Sequence, residues 1–348
     1  MVVMVEIDLS HALCNPEPEG QMENVARRDP VDTVRVRYWY EGVRRSVRSR
    51  TPYQLEKLLE PESFTKADGR THYRNKWTRY AQGQHTPQQH LVDRVADRVL
   101  GSERELNHPL WSILKAERIS SRQITTWIER LEPRVQTAIY RRPHDGQGAA
   151  LLRLAYTSTL GRRLVKLGNL DALACLLLYW HESSSAGPDE GGRPAERIYQ
   201  LLLILGRDFA RRRIAEDIFM LFQTRVFARA VWEHGRLCMD GKLYQKSATV
   251  LYFLLSQVGG MPPLPSWAQQ VRTMLHLLEG KQGFDVKFAM APVWEPDWRL
   301  GPPTRETLDR WIQSRRLRVW GWSHLRAGTI GKFPPHDLLQ ARSGTAAD

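Results

Sequence analysis

A mainly α-helical protein is the fold this sequence predicts. It reads as a small basic N-terminal module with helix-turn-helix-like helices and a short hairpin, then a large α-helical bundle, then a mixed, Trp-rich C-terminal region. Three observations predict it. Apolar residues recur at helical spacing through nearly all of residues 110–280. Two windows there, 172–180 (ALACLLLYW) and 198–205 (IYQLLLIL), are apolar almost all round, the mark of central helices in a bundle. Arginine, in contrast, crowds a stretch near the N-terminus, where six (35, 37, 44, 45, 48 and 50) stand against the single Glu41.

Composition bounds the function. The chain has 348 residues, 42% of them hydrophobic and 26% charged, as expected of a soluble globular protein with a substantial core. Its 51 Lys and Arg exceed its 38 Asp and Glu, giving a net charge of +13 that biases association towards polyanions or acidic partners. Cys14, Cys175 and Cys238 are far apart and lack CxxC spacing, which argues against a disulfide framework or zinc knuckle and fits a reducing cytoplasm. The start, MVVMVEIDLSHALC, lacks the basic n-region of a secretion signal, and the most apolar window is too short to span a bilayer. A cytoplasmic protein without membrane association is expected.

Taken in order, residues 11–33 are rich in Pro, Glu and Asp without periodicity, and 1–33 read as a poorly ordered lead-in. VRVRYWYEGVRRSVRSR (34–50) alternates β-branched and aromatic residues with Arg around Glu41-Gly42, which predicts a hairpin with one basic face. That face is either an edge strand kept soluble by charge or a phosphate contact. PYQLEKLLE (52–60) is a short helix with Pro in its first turn, and PESFTKADGR a loop. THYRNKWTRYAQ is helical until Gly83, and TPQQHLVDRVADRVLGS gives a further amphipathic helix from Thr86-Pro87 to Gly101. The basic module therefore spans 34–105 and the helical domain 110–280. Residues 281–340 form an α/β appendage, with FDVKFAMAPVW as a strand, RETLDRWIQSRR as a basic helix and LRVWGWSHLRAGTIGKF as strand-like.

On a helical wheel Tyr73, Trp77 and Tyr80 share one face, while Arg74, Asn75, Thr78 and Arg79 look outward. A helix that packs inward through aromatics and presents Arg and Asn outward suits a DNA groove, because Arg pairs bidentately with guanine and Asn with adenine. Trp77-x-x-Tyr80-x-x-Gly83-x-x-x-Pro87, followed by a helix ending in Val99-Leu100-Gly101-Ser102, resembles the recognition-helix end of the phage-repressor-like (Cro or XRE type) helix-turn-helix family. The likeness covers residues 52–102, with Ala81 where the family usually has an acid. It implies Trp77 and Tyr80 in buried positions and base reading by Arg74, Asn75, Thr78 and Arg79. Arg35, Arg37, Arg44, Arg45, Arg48, Arg50, Arg70 and Lys76 are the candidate phosphate contacts.

Catalytic signatures are missing: there is no GK[ST] P-loop, GxGxxG, HExxH or GxSxG. His85 and His90 read as surface residues, and His181-Glu182 as the end of a buried helix. Asp285-Val286-Lys287 only faintly resembles the acid-plus-lysine arrangement of metal-dependent nucleases. Trp294, Trp298, Trp311, Trp320 and Trp322 read as core or docking residues before base-stacking ones, with Arg315, Arg316, Arg318 and Lys332 as a second basic surface. No enzyme, metal or cofactor is expected. The expected function is DNA binding by a bacterial or mobile-element transcriptional regulator, with double-stranded DNA as partner. The helical domain leaves room for a homodimer or a protein partner. The alternative is a helical scaffold that meets an acidic protein.

Overall fold

The computed structural model describes residues 28–64, 75–141, 151–186, 192–230, 235–258 and 265–339. It is mainly helical. The N-terminal part consists of α1 (Pro30–Ser46), α2 (Pro52–Leu59), a 3-10 turn at Pro61–Phe64, α3 (Lys76–Ala81), α4 (Gln89–Arg98) and α5 (Ser102–Leu106). The bundle follows as α6 (Pro109–Lys115), α7 (Ser121–Glu129), α8 (Pro133–Ile139), β1 (Tyr140–Arg141), β2 (Leu152–Arg153), α9 (Ser158–Val165), α10 (Leu170–Ala186), α11 (Gly192–Arg211), α12 (Ala215–Arg225), β3 (Gly235–Leu237), α13 (Gly241–Val258) and α14 (Trp267–Leu278). The C-terminal part is α15 (Phe284–Ala289), β4 (Trp294–Pro296), α16 (Arg305–Arg326) and α17 (His336–Leu339). The strands make two small antiparallel ladders, β1 with β2 and β3 with β4.

The expected hairpin at 34–50 is a helix. Asp29 caps it by accepting from the Val31 amide at 2.8 Å, Pro30 occupies its first turn, and arginines fill its last turn, all helix-favouring. The alternation that imitates a strand arises because α1 is buried on two faces. Val31, Val34 and Tyr38 enter the core of the bundle, whereas Val36, Trp39, Tyr40 and Val43 enter a second, smaller core with Leu55, Leu59, Trp77, Tyr80, Leu91, Val92 and Val95. Two helical stripes on one helix overlay into an apparent period of two. The expected disordered lead-in also ends earlier than residue 33, since α1 starts at Pro30 and Val31 is fully buried; residues 1–27 lie outside the described residues.

At the other end, both expected strands are helices. FDVKFA is α15, and LRVWGWSHLR continues α16 without a break. Gly321, which resembles a strand marker in the sequence, is the contact point of these two helices: a Cβ there would lie 2.5 Å from the Asp285 carbonyl oxygen. The one strand among the described residues of this region is β4, and it pairs with β3 of the bundle. Val286, Ala289, Met290, Trp294 and Trp322 belong to the bundle's own core, so Trp294 and Trp322 are core residues. Among the described residues no helix is long and apolar enough to cross a membrane.

Candidate nucleic-acid interface

The arginines of α1 divide by partner. Arg37 donates to Asp217 at 2.6 Å and to the Arg213 carbonyl at 2.7 Å, fastening α1 to the start of α12. Arg35 lies 3.3 Å from Asp32 and donates to Thr86. Arg44 is held by the buried Glu41 at 2.6 Å and by the Ser49 carbonyl. These three hold the scaffold together. Arg45, Arg48 and Arg50 are exposed, and no carboxylate among the described residues pairs with them.

A second arginine-rich segment completes this surface. Arg45 reaches the Arg211 carbonyl at 3.4 Å, and Arg213, 73% exposed, comes no closer than 4.0 Å to Glu41. The C-terminal ends of α1 and α11 therefore lie side by side and present Arg45, Arg48, Arg211 and Arg213. Beneath them Arg212 is consumed by the fold: it donates to both Glu105 oxygens at 2.6 and 2.7 Å and stacks 4.0 Å over Tyr38. Burial works against its charge, but Glu105, Tyr38 and Asp208 more than offset this and raise its pKa. Arg207 lies 3.5 Å over the Tyr252 ring, its pKa lowered by burial and by neighbouring Arg211. The run RDFARRR at 207–213 was the available sequence signal, hidden by the strongly helical period around it.

Both helix ends share an unusual closure. After α1 the Arg48 and Ser49 amides donate to the Arg45 and Arg44 carbonyls, and after α11 the Arg213 and Ile214 amides donate to the Ala210 and Phe209 carbonyls. This is the Schellman pattern, whose left-handed residue is ordinarily glycine. Here it is arginine, at φ 55° for Arg48 and 56° for Arg213. A Cβ in that region costs about 1–2 kcal/mol. Among the described residues one other non-glycine has positive φ, Asn75 at the start of α3.

In α3, Trp77 and Tyr80 are buried as the wheel predicts. Trp77 stacks on Trp39 at 5.8 Å, and its Nε1 donates to Glu60 at 2.8 Å. Burial, then Glu60 and Glu56, push the Tyr80 hydroxyl pKa up. The helix closes at Gly83 (φ 70°), pressed against the Thr33 carbonyl, with Gln84 donating to Arg79. Asn75 and Arg79 are exposed, Thr78 is half-buried, and the Lys76 ammonium is held by Glu60 at 2.8 Å. Arg70, Tyr73 and Arg74 lie outside the described residues. α2 ends at Leu59, a 3-10 turn follows at Pro61–Phe64 and α3 begins at Lys76, with residues 65–74 between them outside the described residues. Thr86, expected to cap the next helix, instead accepts from Arg28 at 2.7 Å; α4 starts after Gln88.

His181 and Asp285 are absorbed by the fold, whereas His85, His90 and Trp298 are exposed. His181 sits inside α10, which continues to Ala186, and not at its end; burial lowers its pKa to about 4. Asp285 is fully buried and accepts from the Val286 and Lys332 amides, pinning a loop. No family model matches the chain, and no match was found among curated proteins or solved structures.

Proposed function

We propose that this chain is a DNA-binding protein, with the role of a transcriptional regulator, that grips duplex phosphates through the adjoining ends of α1 and α11. Arg45, Arg48, Arg50, Arg211 and Arg213 supply the phosphate contacts, and Asn75 and Arg79 on α3 supply what base preference exists. The observation that carries this reading is the pair of left-handed arginines. At two neighbouring helix ends the chain holds an exposed cation where glycine would relieve strain. Strain kept on a surface is a signature of function. A net charge of +13 fits the same reading, as do the exposed Arg45, Arg48 and Arg50, which pair with no carboxylate among the described residues.

Fluorescence anisotropy of a labelled random duplex, titrated with the full chain across a salt series, tests it. Four or five phosphate contacts predict a log–log slope of about −4. Absence of binding at about 50 mM salt, where this electrostatic attraction is strong, would remove the DNA reading. The scaffold reading, in which the same arginines meet an acidic protein, would then replace it.

A further inference from the structure

α16 is the longest helix among the described residues, and its outer face is incompletely covered. Ile312 is 42% exposed and Val319 53% exposed. With Trp311, Trp320 and Leu338 of α17 they floor an open groove of about 600 Å³, and Arg315 and Arg316 are its remaining lining residues. No carboxylate among the described residues lines it. Arg315 lies 5.1 Å over the Trp311 ring, and the nearby Glu306 is already bonded to Arg310. Gln313 donates to the Leu339 carbonyl, fixing α17 as one wall. The lining residues of α16 run from 311 to 320, about 14 Å along a helix axis, or between two and three turns.

We infer that this groove is a docking site for an acidic amphipathic helix of a protein partner. Apolar side chains at i, i+3, i+4 and i+7 of such a helix would cover Ile312 and Val319. Carboxylates on its flanks would pair with Arg315 and Arg316, which find no acid within the groove among the described residues. Charge complementarity selects this occupant over two others. A second copy of the chain would bring two pairs of arginines together over an apolar seam without a carboxylate, a like-charge juxtaposition that opposes association. Single-stranded nucleic acid needs free aromatic faces. The most exposed floor residues are aliphatic, Trp311 packs against the bundle core, and Trp320 is engaged edge-on with Phe288 and His324. This site is separate from the arginines of α1 and α11 and does not depend on their role.

The test uses the full chain and three labelled peptides of about four helical turns, followed by anisotropy. One is a Leu/Glu amphipathic helix, one its Leu/Lys counterpart, and one a scrambled Leu/Glu sequence. The Leu/Glu helix is expected to bind saturably, at least tenfold tighter than either control. Val319→Asp should weaken it tenfold or more. Arg315→Glu with Arg316→Glu should shift preference to the Leu/Lys helix. Both variants should keep the wild-type melting curve, since the altered side chains face solvent, and both should bind duplex DNA as wild type does. Equal binding of the scrambled peptide, or no binding of the Leu/Glu helix, would overturn the proposal. So would a wild-type dimer in sedimentation that Val319→Asp dissociates, or loss of nucleic-acid binding in the double arginine variant.

Discussion

Arg37 and Arg48 come from one arginine-rich stretch, yet Arg37 spends its guanidinium on Asp217 and the Arg213 carbonyl, whereas Arg48 faces solvent in a left-handed conformation. The same contrast recurs at 207–213, where Arg212 is locked between Glu105 and Tyr38 while Arg211 and Arg213 are exposed on either side. Cationic density does not mark a binding surface by itself. What separates the two classes is whether a carboxylate lies within reach, supplied from far away in the chain for Arg37 and Arg212 and from the same helix for Arg35 and Arg44.

The comparison can be broken most severely through the small core on which α1 rests. Trp77→Ala removes a fully buried ring stacked on Trp39 and takes the Nε1 donor from the Glu60 carboxylate, leaving it Lys76; a loss of about 3–5 kcal/mol is expected in urea denaturation. Arg212→Ala comes next. It leaves Glu105 without its bidentate partner at the joint between the small core and the bundle, and about 3 kcal/mol of stability should be lost by the same measurement. Arg37→Ala, at a more exposed pair, should cost about 1 kcal/mol and leave the salt dependence of duplex binding unchanged. A DNA-binding loss in Arg37→Ala without a change in stability would place Arg37 in the wrong class.

The helical class and the central helices were legible, because α10 and α11 are apolar over long runs that only a bundle core accommodates. So were the buried positions of Trp77 and Tyr80 and the stop at Gly83. α1 was misread because it is buried on two sides, and α15 and α16 because their tight contact at Gly321 uses the small and β-branched residues that also make strands. The proposed surface was legible only in part. Arg45, Arg48 and Arg50 stood out locally, but their separation from Arg35, Arg37 and Arg44 depends on Asp217, Thr86 and Glu41. Arg211 and Arg213 join them only through a contact that spans the chain.

The most direct measurement of the central claim is the double variant Arg48→Gly, Arg213→Gly, assayed for stability and for duplex binding together. Glycine relieves the left-handed strain at both helix ends, so the melting temperature should rise, by about 0.5 kcal/mol of stability at each site. The same change removes two cations from the proposed surface, so the salt slope should become shallower by about 2 and affinity should fall. A more stable protein that binds DNA less well is the predicted result. A more stable protein with undiminished binding would contradict the account, and would mean that these arginines serve no nucleic acid.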